Sequence, residues 1–342
     1  MSEAGRAARP RKVTLRDVAK LAGVSMATAS KALNGRDQVS EETRRRVQTV
    51  AERLSFTPNS LAQAIMQGRS GTVGLLTNDL DGRFSLPILM GAEDAFGAGQ
   101  MSVLLCDARD DAIREQYHLK ALIGRQVDGL IVVGSRTDPR PSLGRQVSVP
   151  VIYAYAPSTD PEDASVVADS VLAGEMAVGH LLGLGRRRIV HITGDRTYAA
   201  ARDRVRGTDA ALAAAGLAPV RPAVYGSWSE AWGRTAATAL LDGGSEVDAI
   251  VCGSDQIARG VLDILHDRGV QVPADIAVIG FDNWEPIALG SRPALTSIDM
   301  RFEEMGRRAA QRLFAALDGA EEPGIETVEP RLVVRGSTVE GA

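Results

Sequence analysis

The sequence predicts a small all-α headpiece followed by a larger body of two parallel α/β lobes. Three observations carry this reading. Residues 13–54 are written as short capped helical segments broken by glycine, and from Thr72 short Val, Ile and Leu runs alternate with helical stretches. The third is charge: residues 1–70 hold 13 Lys and Arg against 6 Asp and Glu, leaving 26 against 37 for the rest of a 342-residue chain whose net charge is -4. A basic head on an acidic body points to a polyanionic partner for the head alone.

Residues 1–12 are small, basic and without periodicity, and read as a disordered tail. Thr14, with Asp17 three residues on, opens a helix whose apolar face is Leu15, Val18, Ala19 and Leu21. Ala22-Gly23-Val24 breaks it. Ser25 caps a second helix running to Leu33, with Ala27, Ala29, Ser30 and Ala32 small enough for close packing, and Asn34-Gly35 stops it. A third opens at Ser40, with Glu41 and Glu42 in its first turn and Val47, Val50, Ala51 and Leu54 as its stripe. Helix, glycine turn, helix and a third packing helix form the helix-turn-helix pattern, whose second helix enters the DNA major groove. Arg44-Arg45-Arg46 adds phosphate-neutralising charge, although Arg45 reads equally as a solvated face.

The headpiece therefore spans 13–57. Residues 58–71 form a hinge, in which Asn59–Gln67 (NSLAQAIMQ) can make about two helical turns, too short to hold alone in water. In the body, 72–342, strands are expected at 72–77, 101–106, 129–133, 150–154, 188–193, 222–225, 248–253 and 276–281. The crevice at their ends is the expected ligand site. Polar or aromatic residues just after strands are its candidates: Asp79, Phe84, Tyr155, Asp169, Arg204, Trp228, Ser254, Asp255, Asp282 and Asn283. Carboxylates and a guanidinium around an aromatic face suit a neutral polyhydroxylated ligand, and a phosphorylated one less well, with Arg204 the set's one cation. Asp255 reads better as a helix cap than as a ligand contact.

Several classes are set aside. There is no GxSxG elbow, no Walker A loop and no GxGxxG after the first strand, and Gly183-Leu184-Gly185 ends a helix, so no enzyme is expected. His118, His180, His191 and His266 have no metal-ligand spacing, and neither metal nor cofactor is expected. Cys106 and Cys252 sit in apolar runs and read as core thiols. With no signal peptide and no run of roughly 18 apolar residues, the reading is a cytoplasmic protein without a membrane partner.

The stretches VTLRDVAKLAGVSMATASKALNGRDQVSEETRRRV and LSFTPNSLAQAIMQGRSGTVGLL resemble the headpiece and hinge of the lactose repressor (LacI/GalR) family, and the resemblance runs on to RLVVRGST, covering about residues 13–338. It implies a repressor that binds a pseudo-palindromic operator as a homodimer. Base reading then falls to Met26, Ala27 and Lys31, and phosphate contact to Arg16, Ser25, Thr28 and Asn34. Ile65, beside Met66, takes the minor-groove wedge position that usually holds leucine, and hinge folding becomes the expected switch. The body resembles the type I periplasmic sugar-binding fold, with three crossovers near 165–175, 283–297 and 318–330. Asp169, Arg204, Trp228 and Asp282 match ligand-binding positions, the tryptophan favouring a sugar effector. Ser254 departs from the usual asparagine, and Met300 and Met305 from polar or leucine side chains, so a purine or nucleoside effector stays open. A plain sugar-binding module is the remaining rival, and residues 13–71 argue against it.

Overall fold

The computed structural model describes residues 13–33, 39–54, 56, 69–79, 83–97 and 101–341. The chain divides into two compact units, Met1–Ser70 and Gly71–Ala342.

In the first unit, α1 (Leu15–Ala22), α2 (Met26–Leu33) and α3 (Glu41–Arg53) begin where their caps predict. The Asp17 carboxylate accepts from the Thr14 backbone N–H at 2.9 Å and from its hydroxyl at 2.7 Å. Gly23, at φ 66°, supplies the left-handed residue that closes α1, and the Val24 N–H reaches back to the Ala19 carbonyl at 3.0 Å. The Ser25 hydroxyl oxygen caps α2 by accepting from the Thr28 N–H, and Ser40 caps α3 by accepting from Thr43. Val18, Ala19, Ala22, Ala29, Ala32, Val47 and Ala51 make a core of small side chains, which brings the three helices close. The arginine run divides by surroundings: Arg46 Nε donates to the Ala22 carbonyl at 3.1 Å and ties α3 to the end of α1, whereas Arg45 pairs with Glu41 on the exposed face. Asn34, Ile65 and Met66 lie outside the described residues.

The body holds two six-stranded sheets. In the first lobe β1 (Thr72–Thr77), β2 (Ser102–Asp107), β3 (Gly129–Val133), β4 (Val151–Ala154) and β5 (Ala164–Ala168) alternate with α4 (Ser85–Phe96) and α5 (Ala112–Gly124). The second lobe contains α6 (Ser170–Gly183), β6 (Ile189–Thr193), α7 (Ala199–Ala214), β7 (Val224–Tyr225), α8 (Glu230–Asp242), β8 (Ala249–Cys252), α9 (Asp255–Asp267), β9 (Ala277–Phe281), α10 (Glu285–Ala288) and β10 (Thr296–Asp299). The chain then returns as α11 (Phe302–Leu317) and β11 (Gly324–Val328) in the first lobe and ends with β12 (Arg331–Val333) in the second. The orders are β11-β5-β4-β3-β1-β2 and β12-β10-β9-β8-β6-β7, parallel throughout except the β10–β12 pair. All eight expected strands appear, the inner ones among them because strands buried on both faces by flanking helices read as continuous Val, Ile and Leu runs. Among the described residues, no helix is long and apolar enough to cross a membrane.

Four further strands, β5, β10, β11 and β12, escaped the pattern. Their text is short or polar, and β11 alternates because it forms a sheet edge with an open face. The second crossover is accordingly displaced: it lies between Asp299 and Phe302, not at 283–297. Thr296–Ile298 pair in register with Ile279–Phe281 and stay in the second lobe, and only α11 packs on the first.

Close helix approach positions the cleft. A Cβ on Gly207 would stand 2.0 Å from the Val171 carbonyl oxygen and one on Gly174 2.3 Å from that of Arg204, so the backbones of α6 and α7 touch where α7 presents Arg204. Gly207→Ala is therefore expected to destabilise the body by roughly 1–3 kcal/mol through overpacking. Gly179→Ala, on the open face of α6 with no atom within 4 Å of the added carbon, should be neutral or stabilising by up to about 1 kcal/mol. Urea unfolding of both variants checks the contrast, and equal effects would refute it.

Candidate functional site

The two sheets turn their carboxyl ends toward one cavity of about 590 Å³. In each lobe the strand order reverses between the first strand and the next but one, β1 and β3 or β6 and β8, and such a reversal opens a crevice at the strand ends. Asp79, Arg83 and Phe84 follow β1, Ser135 follows β3, Tyr198 follows β6, and Asp282 follows β9, all lining the cavity.

Its centre is a buried charge cluster. The Asp282 side chain is 2% exposed, with one oxygen 2.9 Å from Arg204 Nη2 and the other 2.7 Å from Arg83 Nη2. Arg83 comes from the first lobe and the other two from the second, so the cluster bridges the cleft. A carboxylate so buried needs cations against it to offset the cost of leaving water. Asp282 at φ 92° and Tyr155 at φ 71° hold left-handed backbone that side chains disfavour, one at a strand end in each lobe. Aromatic rings complete the wall. Phe84 stacks on Tyr155 at 4.7 Å between centroids, Trp228 meets Tyr198 edge-on at 5.8 Å, and Arg83 lies over the faces of Phe84 and Trp284. Burial pushes the Tyr155 phenol above its ordinary range, so it stays protonated.

Arg83 Nη1, Arg204 Nε and Trp228 Nε1 are buried donors that make no hydrogen bond within the protein. Leaving a donor so costs about 1–3 kcal/mol, which a ligand oxygen can recover. Hydroxyl groups, which accept as well as donate, match this wall.

Of the ten cleft candidates named from sequence, Asp79, Phe84, Tyr155, Arg204, Trp228 and Asp282 line the cavity. Asp169 and Ser254 do not. Each caps a helix: Asp169 Oδ1 accepts from the Leu172 N–H at 2.8 Å, and Ser254 Oγ accepts from the Ile257 N–H at 3.3 Å. Asp255 is neither the cap nor a wall residue; it lies fully buried, accepting from Ser297 Oγ at 2.6 Å and the Trp284 N–H at 2.7 Å. Asn283 is held by Arg335 at 2.7 Å, and Met300 and Met305 are core. Sequence reasoning missed Arg83, Tyr198, Gln256 and Trp284. Arg83 and Tyr198 follow strands, so the strand-end rule contained them; Trp284 sits two residues beyond Asp282 in a loop from which only Asp282 and Asn283 were taken. Arg83 also corrects the view that Arg204 is the cleft's single cation.

In the headpiece, Met26 is 49% exposed with Ala27 exposed beside it, whereas Ala29 and Ala32 face the core. Thr28 and Lys31 are half-buried and Arg16 is exposed on α1. The Ser25 hydroxyl is within 2.9 Å of the Thr28 hydroxyl as well as capping α2. One face of α2, at Met26 and Ala27, is thus exposed while the other holds the fold. His191 is buried and pushed down to about 3 by burial and by Arg204, hence neutral, and no group of His, Cys, Asp or Glu suited to a metal ion occurs among the described residues.

Burial first, and the Asp282 charge next, push the Asp255 carboxyl from 3.8 up to about 7. The folded chain therefore binds this proton more tightly than the unfolded one. The resulting stability is full below about pH 4 and is lost as pH rises through about 7. Asp255→Asn, which keeps an acceptor for Trp284 and offers an N–H to Ser297, should gain stability relative to the parent as pH rises from about 4 to about 7 in urea unfolding. A difference independent of pH would contradict this.

Comparison with known proteins agrees with both halves. The model described as "Bacterial regulatory proteins, lacI family" matches residues 14–59, and "Periplasmic binding protein-like domain" matches 178–338. The HTH-type transcriptional regulator CelR of Thermobifida fusca is 33% identical over 339 residues, covering 96% of this chain and 99% of its own. The lac repressor dimer bound to operator and an anti-inducer superposes with a TM-score of 0.78 at 26% identity, over 96% of this chain and 100% of that one. A CelR–cellobiose complex gives 0.65 at 30% identity, over 95% and 100%. The chain belongs to the lacI family of bacterial regulatory proteins, with a helix-turn-helix headpiece and a periplasmic-binding-protein-like body.

Proposed function

We propose that this protein is a sequence-specific DNA-binding repressor whose operator affinity is set by a small sugar-like effector held between the two lobes of its body. The observation that carries the effector reading is the bridged Arg83–Asp282–Arg204 cluster beneath aromatic rings, with unpartnered donors in the same wall. A cellobiose-bound structure of CelR supports the same ligand class. The chain has no catalytic step to perform: the cavity binds, and the output is a change at the DNA.

The reading divides the chain into a basic tail at 1–12, an all-α headpiece at 13–57, a hinge helix and linker at 58–71 and an effector-binding body at 72–342. On DNA, Lys31 donates to guanine in this proposal, with Met26 and Ala27 offering apolar contact to a thymine methyl and Arg16, Ser25, Thr28 and Asn34 meeting phosphates. Ile65 is the wedge of the minor-groove hinge. Two headpieces on a two-fold axis read a pseudo-palindromic operator, as homodimers in the cytoplasm.

Two measurements test this. Lys31→Ala should weaken specific binding by roughly 1–3 kcal/mol and relax preference at one base position in each half-site, read by competition among operator variants. Unchanged base preference removes Lys31 from the reading set. Deleting residues 1–71 should abolish DNA binding and leave the sugar response of a thermal-shift assay intact, whereas loss of both refutes the division.

A further inference from the structure

We propose that the effector is a neutral oligosaccharide of two or more rings, the second ring resting on Trp284 in a chamber beyond the main cavity. This rests on the sugar reading above and sharpens it. At about 590 Å³ the main cavity lies within the range of about 300–1,000 Å³ found for sites that hold drug-sized ligands. A single hexose has about twelve non-hydrogen atoms, so it leaves much of that space unfilled. A second ring has room to extend from there past Trp284 into the space beyond.

The cavity does not end at its own wall. A second chamber of about 560 Å³ adjoins it, and Pro87, Asp282 and Trp284 line both. It runs from Trp284 to the crossover at Asp299 and Arg301 and to Arg331. Trp228 lines the main cavity and not this chamber, so the two tryptophans serve different parts of the cleft. The Trp284 backbone is fixed by its 2.7 Å bond to the buried Asp255, and the Arg83 guanidinium stands 5.6 Å from its ring centre. A flat apolar ring at the junction of the two chambers suits the C–H face of a pyranose, while hydroxyls at the sugar's edge meet the charged side chains of the walls.

Charge selects against a phosphorylated ligand. In the main cavity both guanidiniums are paired with Asp282. In the second chamber Arg331 pairs with Asp299 at 2.7 Å, Arg307 with Glu304 at 2.9 Å and Arg301 with Glu304 at 3.9 Å. A phosphate would have to break a carboxylate pair to gain its own, whereas hydroxyls join such pairs without displacing either charge.

The test is calorimetric titration of the full chain with glucose, cellobiose and cellotriose, with the xylose series of the same lengths, and with glucose 6-phosphate and adenosine. In the recognised series the two-ring member should bind at least about tenfold tighter than the one-ring member. A two-ring member that binds beside an undetectable one-ring member is the same result. Trp284→Ala should cost the two-ring ligand at least about tenfold more affinity than it costs the one-ring ligand, while Trp284→Phe keeps most of the two-ring gain and confirms that the cleft is intact. Equal affinity across lengths, equal loss across lengths in Trp284→Ala, or preference for the phosphorylated sugar overturns the inference while the sugar reading stands. Binding of adenosine alone, or of no carbohydrate, overturns the sugar reading itself.

Discussion

A carboxylate with almost no exposed surface must bring its counter-charges with it, and in this protein Asp282 draws them from both sides of the cleft. Arg204 reaches it from the second lobe and Arg83 from the first. Removing one partner of such a buried pair leaves an uncompensated charge, at a cost of about 3–5 kcal/mol. The cluster thus couples the separation of the lobes to the electrostatics of the ligand site. Anything that binds in the cavity meets groups already engaged with one another, and a ligand rich in hydroxyls can join that network without replacing either charge.

The surrounding fold delivers those groups. Parallel sheets point their strand ends one way, and the reversal of strand order opens a crevice at those ends. Glycine contact between α6 and α7 then brings the helix bearing Arg204 close against its neighbour. A similar device recurs where Gly91 of α4 meets Gly306 of α11 and where Gly233 of α8 meets Gly260 of α9, each added carbon falling within 2.2 Å of a facing carbonyl oxygen. The sheets thereby keep close-packed helical layers while the loops at their ends carry the chemistry.

Much of this was legible in the sequence because the governing signals are local. Capping residues at Thr14, Ser25 and Ser40 and the glycine at 23 placed the headpiece helices, and apolar runs placed eight of the twelve strands. Six cleft residues followed from their position after strands. What escaped depends on distant partners. Edge strands such as β11 carry a polar face, the second crossover is set by pairing of β10 with β9, and Asp169 and Ser254 cap helices in a way that a motif match does not reveal. The role of Arg83 is visible only once the lobes are folded together, because its partner lies about two hundred residues away in sequence.

The account's central claim is that the body's cleft and the headpiece's DNA are energetically linked. Linkage is reciprocal: an effector that changes operator affinity by some factor must have its own affinity changed by the same factor. The direct measurement is the affinity of the full chain for its selected operator at zero and at saturating sugar, with the sugar affinity measured on free and on operator-bound protein. The account predicts a change of at least about fivefold, of either sign and equal in both directions. Sugar that saturates the cleft and leaves operator affinity unchanged would contradict it.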